Sequence, residues 1–179
     1  MKKVITGLDP KGKSIFTQVV SPDVTVGMPI VDWTEIWCVN PDDQIPVDQS
    51  EEKSRDRYSE THQVFPEQHQ ALFRVLDMKP GDWVPTEGEA VSLAQALPGL
   101  MDHVETEDPG MHTTDSIDFG IIMSGKIVLE LDDGAQEELT AGDVFVQNGT
   151  RHAWRVTEHC RMAVAVSYTH LRAHETQYH

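Results

Sequence analysis

The stretch that decides the fold is GMHTTDSIDFGIIMSGKIVLELDDG, residues 110–134, which reads as short strands separated by tight turns. Within it, KIVLEL at 126–131 places an isoleucine or leucine at every second position, as a half-buried β-strand does. The Asp-Asp-Gly turn at 132–134 follows directly. It predicts a hairpin, because Asp and Gly tolerate positive φ. This stretch therefore predicts antiparallel β structure.

Similar segments recur along the chain at roughly 8–12-residue spacing, which is typical of a sandwich or a closed barrel. The other predicted strands are residues 13–20, 30–39, 71–78, 144–146, 152–156 and 162–166. Residues 90–101 are expected to form one or two helical turns before Pro98 and Gly99 end them, the alternative being a covering loop. The sequence thus predicts an all-β fold with short helical or loop elements.

Composition excludes several classes of partner. The 179 residues suffice for one domain with a substantial core, and 39% hydrophobic and 25% charged residues are typical of a soluble globular protein. No run of about 18 apolar residues is present, so no membrane span is expected. The N-terminus lacks the apolar stretch of a secretory signal, which favours a cytoplasmic location. The formal net charge of −16 disfavours nucleic acid and anionic membranes as partners.

The sequence also contains two cysteines and two segments of unusual composition. Cys38 and Cys160 are interpreted as small buried hydrophobic residues, not as a disulfide framework. Residues 41–69 are acidic and poor in apolar residues, which predicts a solvated loop outside the barrel. The last residues, 167–179, lose the strand pattern, and their string SYTHLRAHET resembles translated sequencing-adaptor read-through. We expect this tail to add nothing to the core, so the predicted domain is residues 1–166.

Three side chains in the deciding region suggest a metal site. His112 and His152 flank the strand-rich segment, and Asp118 precedes the turn glycine Gly125 by seven residues. Two imidazoles and one carboxylate can form one face of a coordination sphere and leave positions open for a substrate. The alternative is that both histidines are interior residues whose ring nitrogens bond to neighbours.

Residues 110–156 resemble the cupin family of small β-barrels. The first cupin motif places a glycine before His-x-His and a glutamate after it; here His112 is present, Thr114 replaces the second histidine and Asp118 replaces the glutamate. The second motif is matched by Gly-Asp at 142–143 and by Gly-Thr-Arg-His at 149–152, with Gln147 in place of the usual proline. The run LELDDG at 129–134 and the run QNGTRHAW at 147–154 match a subgroup of single-domain cupins more closely.

The resemblance implies a single antiparallel cupin jelly-roll β-barrel whose motif side chains point inward. It implies that His112, Asp118 and His152 bind one divalent transition metal, which could be Fe, Mn, Ni, Zn or Cu. Thr114 and Trp154 would line the substrate pocket, and a homodimer is also implied. The alternative for Asp118 is a hydrogen bond from Thr114 or from Arg151.

Arg151 is the third candidate for the substrate pocket, where it would meet an anionic group, although its place in a turn favours exposure. We find no nucleophile elbow, P-loop or dinucleotide fingerprint in the sequence. The sequence therefore predicts a metal-dependent enzyme acting on a small organic acid or aromatic, of the dioxygenase, decarboxylase, isomerase or dehydratase type. The alternative is a non-catalytic cupin that binds a small ligand, because the fold alone does not determine the function.

Overall fold

The computed structural model describes residues 1–41, 43, 45, 64–81, 86–105 and 107–168. The strands of this part are β1 (Lys3–Leu8), β2 (Ser14–Val20), β3 (Val26–Gly27), β4 (Val31–Val39), β5 (Ala71–Met78), β6 (Ile117–Ser124), β7 (Lys126–Glu130), β8 (Gln136–Thr140), β9 (Val144–Asn148), β10 (Ala153–Arg155) and β11 (Cys160–Ser167). Its helices are α1 (Glu87–Ala96) and α2 (Leu100–His103), and a 3-10 turn spans Asp132–Gly134.

The strands form an antiparallel jelly roll. One sheet has the order β3-β4-β5-β11-β6-β9 and the other has the order β10-β7-β8. Isolated antiparallel bridges join Val104 to His112 and His112 to His152, which extends the second sheet beyond β10. The series β5-β11-β6-β9, facing a bridge segment followed by β10-β7-β8, is the strand order of an eight-stranded jelly roll. The predicted all-β class is therefore confirmed.

The main core lies between the two sheets and fixes which side chains face inward. Strand side chains alternate between faces, and on β11 the inward set is Met162, Val164 and Val166, all nearly buried. Ile122 of β6 and Ile127 of β7 pack against them from either side of the turn that joins the sheets. The even-numbered positions of β5, β6 and β11 thus face the interior, which places the site residues discussed below.

The predicted turn at 132–134 joins β7 to β8, with φ of 57° at Asp133 and 72° at Gly134. A second turn depends on its glycine more strictly. Gly125 has φ of 72°, and a Cβ atom there would lie 1.9 Å from the carbonyl oxygen of His159. Only glycine allows β6 and β7 to turn so close to the start of β11.

Helix α1 begins earlier than the sequence pattern predicts. Thr86 accepts a hydrogen bond from the backbone N–H of Glu89, whose side chain in turn accepts one from the N–H of Thr86. This capping box satisfies two N–H groups at the start of the helix. The helix ends at Ala96, just before Pro98, as expected. Its residue Leu93 packs in a second, smaller core cluster.

The N-terminal hairpin was not fully predicted. Only the 13–20 strand was expected, whereas β1 pairs with β2 in a separate two-stranded sheet. The exposure of β1 alternates along the strand, but its less exposed face carries Lys3, Ile5 and Gly7, so no apolar alternation marks it in the sequence. Large apolar residues of the hairpin remain exposed, among them Phe16 at 73%.

The remaining sequence predictions concern the end of the domain, the acidic stretch, the two cysteines and membrane spans. Strand β11 continues to Ser167, one residue beyond the predicted domain, and the N–H of Tyr168 donates to the carbonyl of Gln70. Residues 169–179 and most of the acidic stretch 41–69 lie outside the described residues. Cys38 and Cys160 are buried and unbridged, as predicted. No helix within the described ranges has the length and apolarity needed to cross a membrane.

Candidate functional site

A cavity of about 270 Å³ lies between the sheets of the jelly roll. Its wall is mostly apolar, and its aromatic members are Trp33, Phe65, Phe145 and Trp154. Its polar members are Arg74, His112, Thr114, Ser116, Asp118 and His152. An apolar concavity with a few converging polar groups is the usual form of a small-molecule site.

His112 and His152 stand side by side in this wall because their backbones pair. The N–H of each donates to the carbonyl of the other, over 2.9 and 3.0 Å. The two ring centroids are 4.1 Å apart, and His152 is only 2% exposed. Two histidines from distant parts of the sequence are therefore adjacent in the cavity.

The local hydrogen bonds set the tautomer of both rings. Nδ1 of His112 lies 2.9 Å from the carbonyl oxygen of Gly110, and Nδ1 of His152 lies 2.8 Å from that of Thr150. A carbonyl only accepts, so each Nδ1 carries the proton and each Nε2 keeps its lone pair. Burial lowers the pKa of His112. Burial, and then the neighbouring His112, lowers the pKa of His152 to about 4.

Gln147 supports His152 from behind. Its Nε2 donates to the carbonyl oxygen of Thr150 at 2.9 Å and contacts the hydroxyl of the same residue at 2.6 Å. The carbonyl that orients the His152 ring is thereby held in place by a buried amide. The residue that replaces the usual cupin proline thus positions the imidazole.

The cavity wall contains three neighbouring side chains that carry oxygen atoms, those of Thr114, Ser116 and Asp118. The Ser116 hydroxyl lies 3.0 Å from the hydroxyl of Thr114 and donates to Oδ1 of Asp118 at 2.8 Å. Burial raises the pKa of Asp118, while the Ser116 bond and the charge of Arg74 act in the opposite direction. The expected hydrogen bond to Asp118 therefore exists, but Ser116 donates it.

Arg74 of β5 is a buried cation in the cavity wall. Its guanidinium nitrogen lies 3.0 Å from a carboxylate oxygen of Glu35, and the two side chains are 3% and 7% exposed. The guanidinium also donates to the carbonyl of Val64 at 2.7 Å and stacks over the Trp33 ring at 4.5 Å. Charge within the wall is thus balanced locally by an ion pair.

Trp154 lines the cavity. Its ring lies 4.8 Å from that of Phe145 and meets the His152 ring edge-on at 6.0 Å. Phe145 has room because Gly120 lies opposite it, where a Cβ would come within 2.1 Å of the Phe145 ring. The aromatic wall beside the histidines therefore depends on a glycine in β6.

Arg151 does not line the cavity. It lies outside, where its guanidinium binds the carboxylates of Glu105 at 2.6 Å, Asp132 at 2.8 Å and Asp108 at 3.0 Å. These bonds, that to Glu105 first, hold the pKa of Arg151 above its ordinary value. Strand alternation explains the correction, because Arg151 directly precedes the inward-facing His152 and points the other way.

The predicted three-residue metal set does not assemble. The imidazoles suit ligation, because each Nδ1–H is fixed on a carbonyl and each Nε2 is available. The described ranges, however, contain no group of three His, Cys, Asp or Glu side chains placed to hold a metal ion. The carboxylate of Asp118 is bound to Ser116 instead. The described placement therefore gives no support to a three-residue site of His112, Asp118 and His152, which stays a prediction.

The metal hypothesis makes a prediction that elemental analysis tests. If the three residues bind a divalent metal, the purified chain carries close to one metal per molecule. His152→Ala then abolishes binding and Asp118→Asn weakens it, because each removes a ligand. A metal content well under one per chain, the same in both variants and not restored by added metal, would remove the hypothesis.

Sequence reasoning missed two polar residues of the site, Arg74 and Ser116, although each carried a signal. Ser116 lies midway between Thr114 and Asp118, and positions two apart on an extended chain share a face. Arg74 shares its face of β5 with Leu72 and Leu76, so a lone charge stands on an otherwise apolar face. Inward charges of this kind are rare without a partner.

No protein-family model matches the chain. The chain is 38% identical over 84 residues to phomopsin biosynthesis cluster protein D of Diaporthe leptostromiformis, covering 47% of this chain and 40% of that protein. It is 42% identical over 48 residues to oryzines biosynthesis cluster protein J of Aspergillus oryzae, covering 27% of each. The chain thus spans well under half the length of these curated relatives.

Solved structures with a similar backbone are more distant in sequence than these relatives. KdgF from Halomonas sp. is 15% identical, with 78% of this chain and 82% of that chain covered and a TM-score of 0.42. A cupin-2 domain containing protein from Shewanella frigidimarina is 18% identical, with 53% and 68% covered and a TM-score of 0.35. Likeness at this level adds nothing to the fold assignment, which follows from the strand order itself.

Proposed function

We propose that the chain is a small-molecule enzyme of the cupin type that acts in a biosynthetic pathway, with its substrate in the cavity between the sheets. The observation that carries this proposal is the pair of buried imidazoles, whose Nε2 lone pairs are available in an apolar cavity. Support for the pathway comes from the names of the relatives, which are biosynthesis cluster proteins.

Proton transfer is the chemistry that these residues supply by themselves. Burial lowers the pKa of both rings, and at His112 the carbonyl of Gly110 and the charge of Glu105 partly offset this effect. His112 accepts a proton from the substrate, and His152 stays neutral beside it. Among the reaction classes predicted, isomerisation and dehydration proceed by such transfers.

The second candidate function is a non-catalytic binder. The observation that favours it is the low basicity of His152, since a general base works best with a pKa near the working pH. In that case the imidazoles serve as hydrogen-bond acceptors for a ligand that is retained and not converted.

Incubation with a pool of small aromatics and organic acids distinguishes the two functions. We expect the wild-type chain to deplete at least one compound, followed by mass spectrometry, and His112→Gln to slow the depletion by about 100-fold or more because a general base is lost. His159→Gln is the matched control, because His159 is exposed, contacts Asp77 at 2.7 Å and does not line the cavity.

Depletion at the wild-type rate by His112→Gln would contradict the assigned role of that imidazole. Compounds retained by the protein in equilibrium dialysis, but not consumed, would support the binding function. Neither retention nor depletion of any compound would reject both.

A further inference from the structure

Thr114, Ser116 and Asp118 present one continuous row of oxygen atoms to the cavity, which we call the oxygen row. All three side chains line the cavity, and adjacent members lie 3.0 and 2.8 Å apart. All three side chains lie on the cavity side although the chain bends at Asp115 and Ser116, just before β6 begins at Ile117. Asp115, between the first two, is exposed on the opposite side.

Counting hydrogens shows that the oxygen row accepts more than it donates. Ser116 has one hydroxyl hydrogen, and its bond to the carboxylate of Asp118 is the stronger one because the acceptor is charged. Because Ser116 has no second hydrogen, the Thr114 hydroxyl, 3.0 Å from the Ser116 oxygen, is left to donate its own hydrogen there. Within the described residues Ser116 is the hydrogen-bond partner of that carboxylate, which leaves Oδ2 as an acceptor for a ligand.

The charges around the cavity also favour a ligand that donates hydrogen bonds over an anionic ligand. Arg74, the cation in the wall, is engaged by Glu35 at 3.0 Å. Burial of both imidazoles disfavours their charged forms. The carboxylate of Asp118 therefore leaves these groups with a formal surplus of one negative charge. An anionic ligand would be buried there without a counter-charge, which is costly.

The size and walls of the cavity suit a single aromatic ring. Its volume of about 270 Å³ is below the range of roughly 300–1,000 Å³ that drug-sized ligands occupy. Trp33, Phe65, Phe145 and Trp154 offer flat faces and edges to such a ring.

We infer that the oxygen row selects a small aromatic ligand by its hydroxyl or amine group, and that Asp118 is a specificity-determining residue of the cavity and not a metal ligand. This inference rests on the proposed small-molecule function and narrows it. Of the two substrate classes predicted from the sequence, the aromatic with a hydrogen-bond donor is favoured over the organic acid.

Three probes with the same ring test this selectivity: benzylamine, benzyl alcohol and benzoate. Binding is measured by ligand-observed NMR titration of the EDTA-dialysed chain, so that the chain alone supplies the charge. We expect the amine and the alcohol to bind at least about tenfold more tightly than benzoate, as expected for a hydrogen bond to a charged acceptor. Asp118→Asn, which keeps the shape, should reduce the preference for benzylamine over benzoate by about tenfold or more.

The matched control is Asp115→Asn, which makes the same charge change on the neighbouring exposed side of the segment. It should leave all three affinities unchanged. Equal affinities for the three probes, or the same shift in both variants, would overturn the inference and leave the proposed binding cavity standing. No binding of any probe would overturn the inference together with the proposed function.

Discussion

Arg74→Met should destabilise the chain by about 3–5 kcal/mol, the cost typical of breaking a buried ion pair from one side. The substitution leaves the carboxylate of Glu35 buried at 7% exposure without the guanidinium that faces it at 3.0 Å. It also removes the donor to the carbonyl of Val64. Urea unfolding of the two proteins measures the difference.

The double variant Arg74→Met/Glu35→Gln shows whether charge is the cause. The amide oxygen of the introduced glutamine would keep an acceptor for the indole N–H of Trp33, which now donates to Glu35 at 2.7 Å. Replacement of both charges is often close to neutral, so most of the lost stability should return. If Arg74→Met alone lowers the free energy of unfolding by less than about 1 kcal/mol, the buried pair contributes no more than an exposed ion pair does.

Strand alternation predicted much of the fold. The run 71–78 coincides with β5, and the Asp-Asp-Gly turn joins β7 to β8. Both signals are local, since a period of two and positive φ act within a few residues. β1 escapes prediction because its less exposed face mixes Lys3 and Gly7 with Ile5, and the start of α1 because the Thr86–Glu89 capping box lies before the apolar run.

The sequence predicted several of the residues that line the cavity, but it did not predict which of their side chains bond to each other. Parity placed His112 and Thr114 on one face and His152 and Trp154 on another, and all four line the cavity. Parity does not say which inward side chains bond to each other. The sequence pattern groups Asp118 with the imidazoles, whereas its nearest inward neighbour along the chain, Ser116, forms the bond.

Long-range partners explain the remaining differences. The contacts of Arg151 with Glu105 and Asp108 join residues that are 46 and 43 positions apart, and nothing local marks them. Arg74 and Glu35 become neighbours only when β4 pairs with β5 in the observed register. Such pairs follow from strand order, which a single sequence does not encode as a local pattern.

Acidification from pH 7 to pH 5 should destabilise the chain more steeply than it destabilises His152→Gln. Burial and the neighbouring His112 lower the pKa of His152 from 6.5 to about 4. Between these values the unfolded chain binds a proton that the folded chain excludes, so stability is present above about pH 6.5 and is lost as the pH falls. One such proton raises the unfolding equilibrium constant by about tenfold per pH unit.

Urea unfolding at several pH values in the presence of EDTA measures this slope, because bound metal would compete with the proton. His112, whose pKa burial also lowers, adds to the effect in the same direction. Asp118 acts in the opposite direction at the acid end, because its raised pKa lets the folded chain bind a proton first. The difference in this slope between wild type and His152→Gln gives the contribution of the His152 ring alone. Parallel slopes for the two proteins would show that His152 is not held neutral by its burial.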